Sequence, residues 1–403
     1  MDRIIMHIDV NNAFLSWTAV DMLKNGSKID IRKRYAIIGG DESKRRGIVL
    51  AKSNLCKQKG VYTSQTIYSA RKLCPYLDVY KPNYNLYKKY SNYLFEYLSK
   101  YTNIIERYSI DECFLDYTSV KNLYGDPIKF AYKIKNEISS LYGFTVNVGI
   151  GNNKLCAKMA SDFSKPNKVH TLFLDEIKDK MWPLDVSELF MIGKRSSEKL
   201  KNLNINTIYD LAHTPKSFLE EKFKKMGTMM WEYANGIDNS NVEYLYENPK
   251  SISNSTVLPY DYRNMESLHE VLKELCMHTI KRLNEVGMYT NNVGIWVKYS
   301  NMEKKSIQKK LENSTNDFDT IYKQVIELFS NIYNEENDAV RSLCVSLNDL
   351  DEKKRIQLSI FDKVKDNLRN DRQDEKINKV IDEMKAKYGK DLIKIGVKNV
   401  VKK

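Results

Sequence analysis

The run Ile104-Ile105-Glu106-Arg107-Tyr108-Ser109-Ile110-Asp111-Glu112-Cys113-Phe114-Leu115-Asp116 decides the fold. Ile104 to Arg107 and Cys113 to Leu115 read as two short strands, with the polar residues between them forming the turn. Upstream, Tyr87, Tyr90, Leu94, Tyr97 and Tyr101 fall on one face of a helix. Downstream, Ile128, Ala131, Ile134, Ile138 and Leu141 stripe a second helix, and Val146, Val148 and Ile150 alternate as a strand. A further strand over residues 4–9 precedes them all and ends in Asp9. The order is β-α-β-β-α-β, the split βαβ or ferredoxin-like unit, with a long insertion between its first strand and first helix.

The same order of elements returns towards the C-terminus. A strand over 251–258 precedes a helix marked by Leu268, Leu272, Cys276, Ile280 and Leu283. Strands at Val293-Ile295-Val297 and around 307–311 follow, then a helix with Phe318, Ile321, Val325, Leu328 and Ile332, and a closing strand at Leu343, Val345 and Leu347. Residues 173–240, broken by Pro183, Gly193, Pro215 and Gly227, read as a small all-helical domain, and 241–250 as a linker. Beyond Asp349 the chain is highly charged, with one amphipathic stretch at Ile377, Ile381, Met384 and Tyr388 that reads as a solvated or partner-docking helix. The fold class is α+β and multidomain.

A chain of 403 residues exceeds a typical single domain, and 42% hydrophobic with 29% charged residues is ordinary globular composition. No run approaches the roughly 18 apolar residues of a membrane span, and Met1-Asp2-Arg3 passes straight into Ile4-Ile5-Met6-His7-Ile8 without a secretory h-region. The expectation is a cytoplasmic protein with no membrane partner. A net charge of +13 favours an anionic partner, nucleic acid before anionic lipid. The six cysteines have neither CxxC nor zinc-site histidine spacing, and read as buried thiols.

In the β-α-β-β-α-β sheet the first and third strands are antiparallel neighbours. Asp9 at the end of one therefore meets Asp111 and Glu112 at the start of the other. On its own an acidic pair at a turn is a solvated hairpin, but three converging carboxylates repel one another and call for positive charge between them. Hard oxygen donors suit two Mg²⁺ ions, or Mn²⁺, which clamp an in-line phosphoryl transfer.

Three runs carry a resemblance: Ile8-Asp9-Val10-Asn11-Asn12-Ala13-Phe14, Ser109-Ile110-Asp111-Glu112-Cys113-Phe114-Leu115-Asp116, and Val148-Gly149-Ile150-Gly151-Asn152-Asn153-Lys154 through Ser164-Lys165-Pro166-Asn167. In their order and spacing the chain resembles the Y-family DNA polymerases, which copy damaged templates. The resemblance implies a palm (1–10 and 79–172), inserted fingers (11–78), a thumb (173–240), a linker (241–250), a little finger (251–350) and a tail (351–403). It implies that Asp9, Asp111 and Glu112 are catalytic and hold the metals with the Val10 carbonyl. Phe14 would be the steric gate that selects deoxynucleotides, with a core residue capping the strand as its alternative. Lys165, Lys57 and Asn54 would lie on the incoming triphosphate. Lys57 stands where the family usually has arginine, and so keeps the charge without the bidentate fork. Asn54 replaces a common tyrosine, Ala51 a threonine, and Ala13 the usual aromatic beside the gate.

Phe190-Met191-Ile192-Gly193-Lys194 resembles a helix-hairpin-helix whose backbone amides take a DNA phosphate, with Gly193 and Lys194 at the contact and Met191 where a first glycine normally stands. Lys298, Lys304, Lys305, Lys309 and Lys310 are further phosphate candidates. Gln357-Leu358-Ser359-Ile360-Phe361 is similar to the peptide by which bacterial polymerases bind the β sliding clamp, with Gln357, Leu358, Ile360 and Phe361 as the contacts. Gly149-Ile150-Gly151 lacks the third glycine of a dinucleotide fingerprint. The implied protein is a bacterial, nucleoid-associated monomer. It acts as an error-prone, template-directed polymerase on primer-template DNA and dNTPs by two-metal phosphoryl transfer with pyrophosphate release. Its rivals are an RNA-synthesising or nucleotide-cyclising palm enzyme, and a non-catalytic DNA- and clamp-binding accessory protein that retained the fold.

Overall fold

Strand β1 (Ile5–Val10) is buried along its whole length because it is the middle strand of a sheet covered on both faces. The computed structural model describes residues 3–45, 47–244, 248–336 and 338–355, and the chain divides after Asn248 into two compact units. After β1 come β2 (Ala36–Gly39), β3 (Val49–Lys52) and β4 (Asp78–Tyr80), then β5 (Ile105–Arg107), β6 (Glu112–Asp116), β7 (Val146–Gly151) and β8 (Val169–Leu172). The larger sheet has the order β5-β6-β1-β7-β8, with β1 antiparallel to both β6 and β7. Its first four strands have the ferredoxin-like arrangement. The parallel β8 was not foreseen, because Val169-His170-Thr171-Leu172 carries too few apolar residues to stand out as a period.

Alternation along β1 divides the work of the sheet. Met6, Ile8 and Val10 join the core beneath the helices Tyr84–Leu98 and Pro127–Tyr142, together with Tyr87, Leu94, Ala131 and Ile134. Ile5, His7 and Asp9 point to the other face, where the helix Lys154–Asp162 packs. The buried stripe of Pro127–Tyr142 is Phe130, Ala131, Ile134 and Ile138; Ile128 and Leu141, assigned to that stripe from spacing, are exposed at its edges.

The inserted segment builds its own sheet, β3-β2-β4, over a core that includes Ile37, Val49, Cys56, Ile67 and Cys74. Strand β4 pairs in parallel with β2, so this sheet extends past residue 78 into what was expected to be palm. Residues 173–240 form short helices around Ile177, Leu200, Leu211, Leu219 and Met230.

The second unit contains β9 (Ser251–Tyr262), β10 (Tyr289–Tyr299), β11 (Lys304–Thr315) and β12 (Val340–Asp351), with the helices Met265–Glu285 and Phe318–Ile332. The expected order of elements is present, but the strand order is β11-β10-β12-β9. Here the first and third strands are the two edges, whereas in the first unit β1 and β6 are neighbours. The second unit is therefore not a copy of the ferredoxin-like arrangement, and among its described residues there is no counterpart of the carboxylate meeting point. All six cysteines are free and buried.

Candidate active site

The register of β1 on β6 sets Asp9 directly opposite Glu112. The Val10 amide donates to the Asp111 carbonyl at 2.9 Å, which brings the turn before β6 against the end of β1. Two residues that sequence reasoning singled out a hundred positions apart thus share one edge. Each finds a cation. Lys158, on the helix Lys154–Asp162, donates to Glu112 Oε2 at 2.5 Å, and Lys165 pairs with both Asp9 and Asp162, the latter at 2.8 Å. Lys158 also lies 3.7 Å from Asp162, so charges alternate from Glu112 through Lys158, Asp162 and Lys165 to Asp9.

His7 is fully buried behind this edge, with Nδ1 2.8 Å from Ser161 Oγ and Nε2 3.1 Å from Glu112 Oε2 in an indirect approach. Burial would raise the Glu112 carboxyl, but the His7 contact and then Lys158 more than reverse that and leave it at about 2. Burial holds His7 below its ordinary value, so it stands neutral. Asp111 is the contrast. Its carboxylate accepts from Ser109 Oγ at 2.7 Å and has no cationic partner among the described residues. Burial first, then the negative charges of Asp9 and Glu112, push it upward. Lys165 is desolvated, yet Asp9 and Asp162 hold its pKa above the ordinary value.

The loop bearing Lys165 is positioned by two asparagines. Asn11 Oδ1 accepts from the Asn167 amide at 2.8 Å, and Asn11 Nδ2 donates to Asn147 Oδ1 at 3.0 Å. Asn147 in turn donates to the carbonyls of Ser161 and Ser164 at 2.9 and 2.6 Å. Buried amides are stable only when so satisfied. Neither they nor His7 and Lys158 were found from the sequence, since each matters only once the helix lies on the sheet.

Beside Asp9 a cleft of about 410 Å³ opens between palm and inserted segment. Its lining includes Asn54, Lys57 and Lys165, the residues carried over as triphosphate ligands, together with Arg32, Lys52 and Asn12. Lys57 and Asn54 reach it because Ser53 caps the short helix Asn54–Gln58, accepting from the Cys56 amide at 3.2 Å. Phe14, in the helix Ala13–Lys24, is half-buried and stacks on Tyr87 with ring centres 4.4 Å apart and planes 7° from parallel.

A divalent ion can be tested against these donors. The set of Asp9, Asp111, Glu112 and the Val10 carbonyl is oxygen only, and Asp111 is a partly buried carboxylate with no cationic partner among the described residues. Both features fit a hard ion such as Mg²⁺. The side chains are not gathered for it, however: among the described residues no three His, Cys, Asp or Glu side chains stand as a ligating group, because the lysines hold Asp9 and Glu112.

Residues 8–162 match the impB/mucB/samB family, 249–360 its C-terminal domain, and 188–238 the thumb domain described for DNA polymerase iota. A relative named DNA polymerase IV from Clostridium acetobutylicum is 43% identical over 98% of this chain and 97% of its own. The chain belongs to the Y family of DNA polymerases. A second relative of that name, from Acetivibrio thermocellus, is 32% identical over 98% of both chains. The solved structure of a Y-family DNA polymerase chimera shares the fold, with a TM-score of 0.74 at 24% identity over 88% of this chain and 100% of that one. Enzymes of the Y family depend on divalent metal ions.

The remaining family positions fall in three places. Gly193 caps the helix Lys194–Lys201, and Met191 takes the left-handed conformation, φ 71°, that its expected glycine would take freely. Lys194 is exposed. In the second unit, Lys305, Ile307 and Lys309 of β11 face the helices with Val293, Ile295 and Val297, and Lys309 pairs with Glu327 at 2.8 Å. Lys298, Lys304 and Lys310 point to the opposite face. This alternation sets the phosphate candidates on two faces, with Lys309 on the face opposite the one that carries Lys298. Gln357, Leu358, Ile360 and Phe361 lie outside the described residues. Among the described residues no helix is long and apolar enough to cross a membrane.

Proposed function

We propose that this chain is a template-directed, error-prone DNA polymerase of the translesion type, adding deoxynucleotides to a primer 3'-OH with release of pyrophosphate. The observation that carries the proposal is that Lys165 both lines the cationic cleft and reaches Asp9, which sets a triphosphate site against the carboxylate edge. Asp9, Asp111 and Glu112, with the Val10 carbonyl, would hold two Mg²⁺ ions, for which Mn²⁺ can substitute. When bound, such ions lower the pKa of an attacking hydroxyl and neutralise charge on the transferring phosphoryl group.

The chain's own residues do the positioning. Lys165, Lys57 and Asn54 hold the triphosphate along the cleft, and Lys165 is released from Asp9 as phosphate oxygens take its charge. Lys158 and His7 keep the Glu112 carboxylate ionised and oriented. Phe14, braced by Tyr87, stands where a ribose 2'-OH would lie and excludes it. Gly193 and Lys194 take a backbone phosphate of the primer-template, and Lys298 another. The run 357–361 binds the β sliding clamp. The enzyme works as a monomer in the bacterial cytoplasm, on the nucleoid.

The test is extension of a labelled primer with Mg²⁺, using dNTPs singly, all four dNTPs, and rNTPs. Extension with dNTPs alone, frequent misinsertion, and loss in the Asp111→Ala, Glu112→Ala double variant with DNA binding retained are expected. DNA binding without extension by the unmodified chain would favour the accessory-protein reading.

A further inference from the structure

We propose that Lys52 is a further triphosphate-binding residue, supplying from strand β3 the second charged contact that Lys57 cannot make alone. The inference rests on the polymerase reading for the identity of the ligand, but the geometry behind it is independent.

Four cations line the cleft, and two of them are already engaged. Arg32 grips Asp30 through two nitrogens, each at 2.9 Å, and Lys165 is shared by Asp9 and Asp162. Lys52 and Lys57 have no carboxylate partner among the described residues. The Lys52 ammonium donates to the Thr63 hydroxyl at 3.1 Å and to nothing charged. Burial, and then the neighbouring Lys57 ammonium, hold its pKa below the ordinary lysine value. Two like charges beside one cleft repel each other unless an anion lies between them.

The backbone holds Lys52 in place. It closes β3, paired with Ile37 of β2, and its carbonyl accepts from the side chain of Asn12, two residues past the end of β1. The end of β3 is thereby tied to the turn after Asp9. A polyphosphate lying from the carboxylate edge toward Lys57 has Lys52 on its flank. An arginine at position 57 would offer two parallel N–H groups; a lysine offers a point charge, and a second lysine restores the lost contact from another direction.

The experiment compares unmodified chain, Lys52→Ala, Lys52→Met and Lys57→Ala. It measures steady-state extension and, separately, equilibrium binding of dATP to each protein on a dideoxy-terminated primer-template opposite dT. A charge-assisted phosphate contact predicts a roughly ten- to hundredfold rise in KM and in the dATP Kd for both Lys52 variants, with kcat changed less than about threefold and DNA affinity unchanged. Lys52→Met keeps the packing of the aliphatic stem, so loss in Lys52→Ala alone means packing and overturns the proposal. A KM and Kd within about twofold of the unmodified chain, while Lys57→Ala weakens both, overturns Lys52 and leaves the polymerase reading intact. If the unmodified chain binds dATP without extending the primer, the polymerase reading fails and the Kd comparison still decides Lys52. No dATP binding by the unmodified chain overturns both.

Discussion

Replacing Gly149 by alanine tests how the site is assembled. Gly149 sits in β7 beneath the helix Lys154–Asp162, and a Cβ there would lie 2.0 Å from the Ala157 carbonyl oxygen and 2.4 Å from the Ser161 nitrogen. Carbon and oxygen in close contact rest at about 3.3 Å, so the helix must retreat by about 1 Å or more. The obstructing atoms are backbone, and no change of rotamer relieves them. Overpacking of a core costs about 1–3 kcal/mol, and a clash with an entire helix belongs at the top of that range. About 3 kcal/mol lowers the melting temperature of a unit of this size by roughly 6–12 °C. The same retreat carries Lys158 away from Glu112, which it meets at 2.5 Å, and pulls on the loop bearing Lys165. A displacement of about 1 Å at a catalytic group costs on the order of 100-fold in rate. The assay is a thermal melt paired with single-turnover extension at a temperature where the variant is folded. Gly193→Ala is the control, because nothing lies within 4 Å of its added Cβ and it should melt within about 1 kcal/mol of the unmodified protein. If Gly149→Ala melts within about 2 °C of the unmodified chain, or is destabilised with full single-turnover activity, the argument from close approach fails.

Lys158→Met leaves Glu112 without its cation and should cost on the order of 2 kcal/mol in thermal melts without Mg²⁺, with part of the loss recovered when Mg²⁺ is added; equal deficits in both buffers would contradict an electrostatic role. Phe14→Ala removes the ring stacked on Tyr87, and the ratio of ribo- to deoxynucleotide incorporation in matched primer-extension assays should rise at least about tenfold. Lys310→Gln should reduce the slope of log K against log salt for DNA binding by about 1, while Lys309→Gln, which breaks the pair with Glu327 on the helix side, should leave that slope unchanged. Equal effects of the two would mean that the face assignment along β11 is wrong.

The strand over residues 4–9 was legible because a short apolar run that ends in a charged residue is a local signal and does not depend on its neighbours. With the order β-α-β-β-α-β it was enough to bring Asp9 to the acidic pair of residues 111 and 112, and the register then set it opposite Glu112. The glycines of Gly149-Ile150-Gly151 were legible as unusual but not as packing residues. Their reason is the backbone of a helix that starts at Lys154 and folds back onto the strand, a contact visible only in three dimensions.

By itself the sequence determined the order of elements in the two β-α-β-β-α-β units, the family and the carboxylate edge, since each depends on short-range periodicity or on residue runs read in order. Only the tertiary structure decided the strand order of the second unit. Either arrangement satisfies the same hydrophobic pattern and the same crossover rule, and the choice lies in which strand edges find each other. It also decided which cations serve the site. Lys158, Lys52 and Arg32 come from three separate stretches of the chain; the first stands against Glu112 and the other two line the cleft beside Lys165, a matter of distance rather than of sequence.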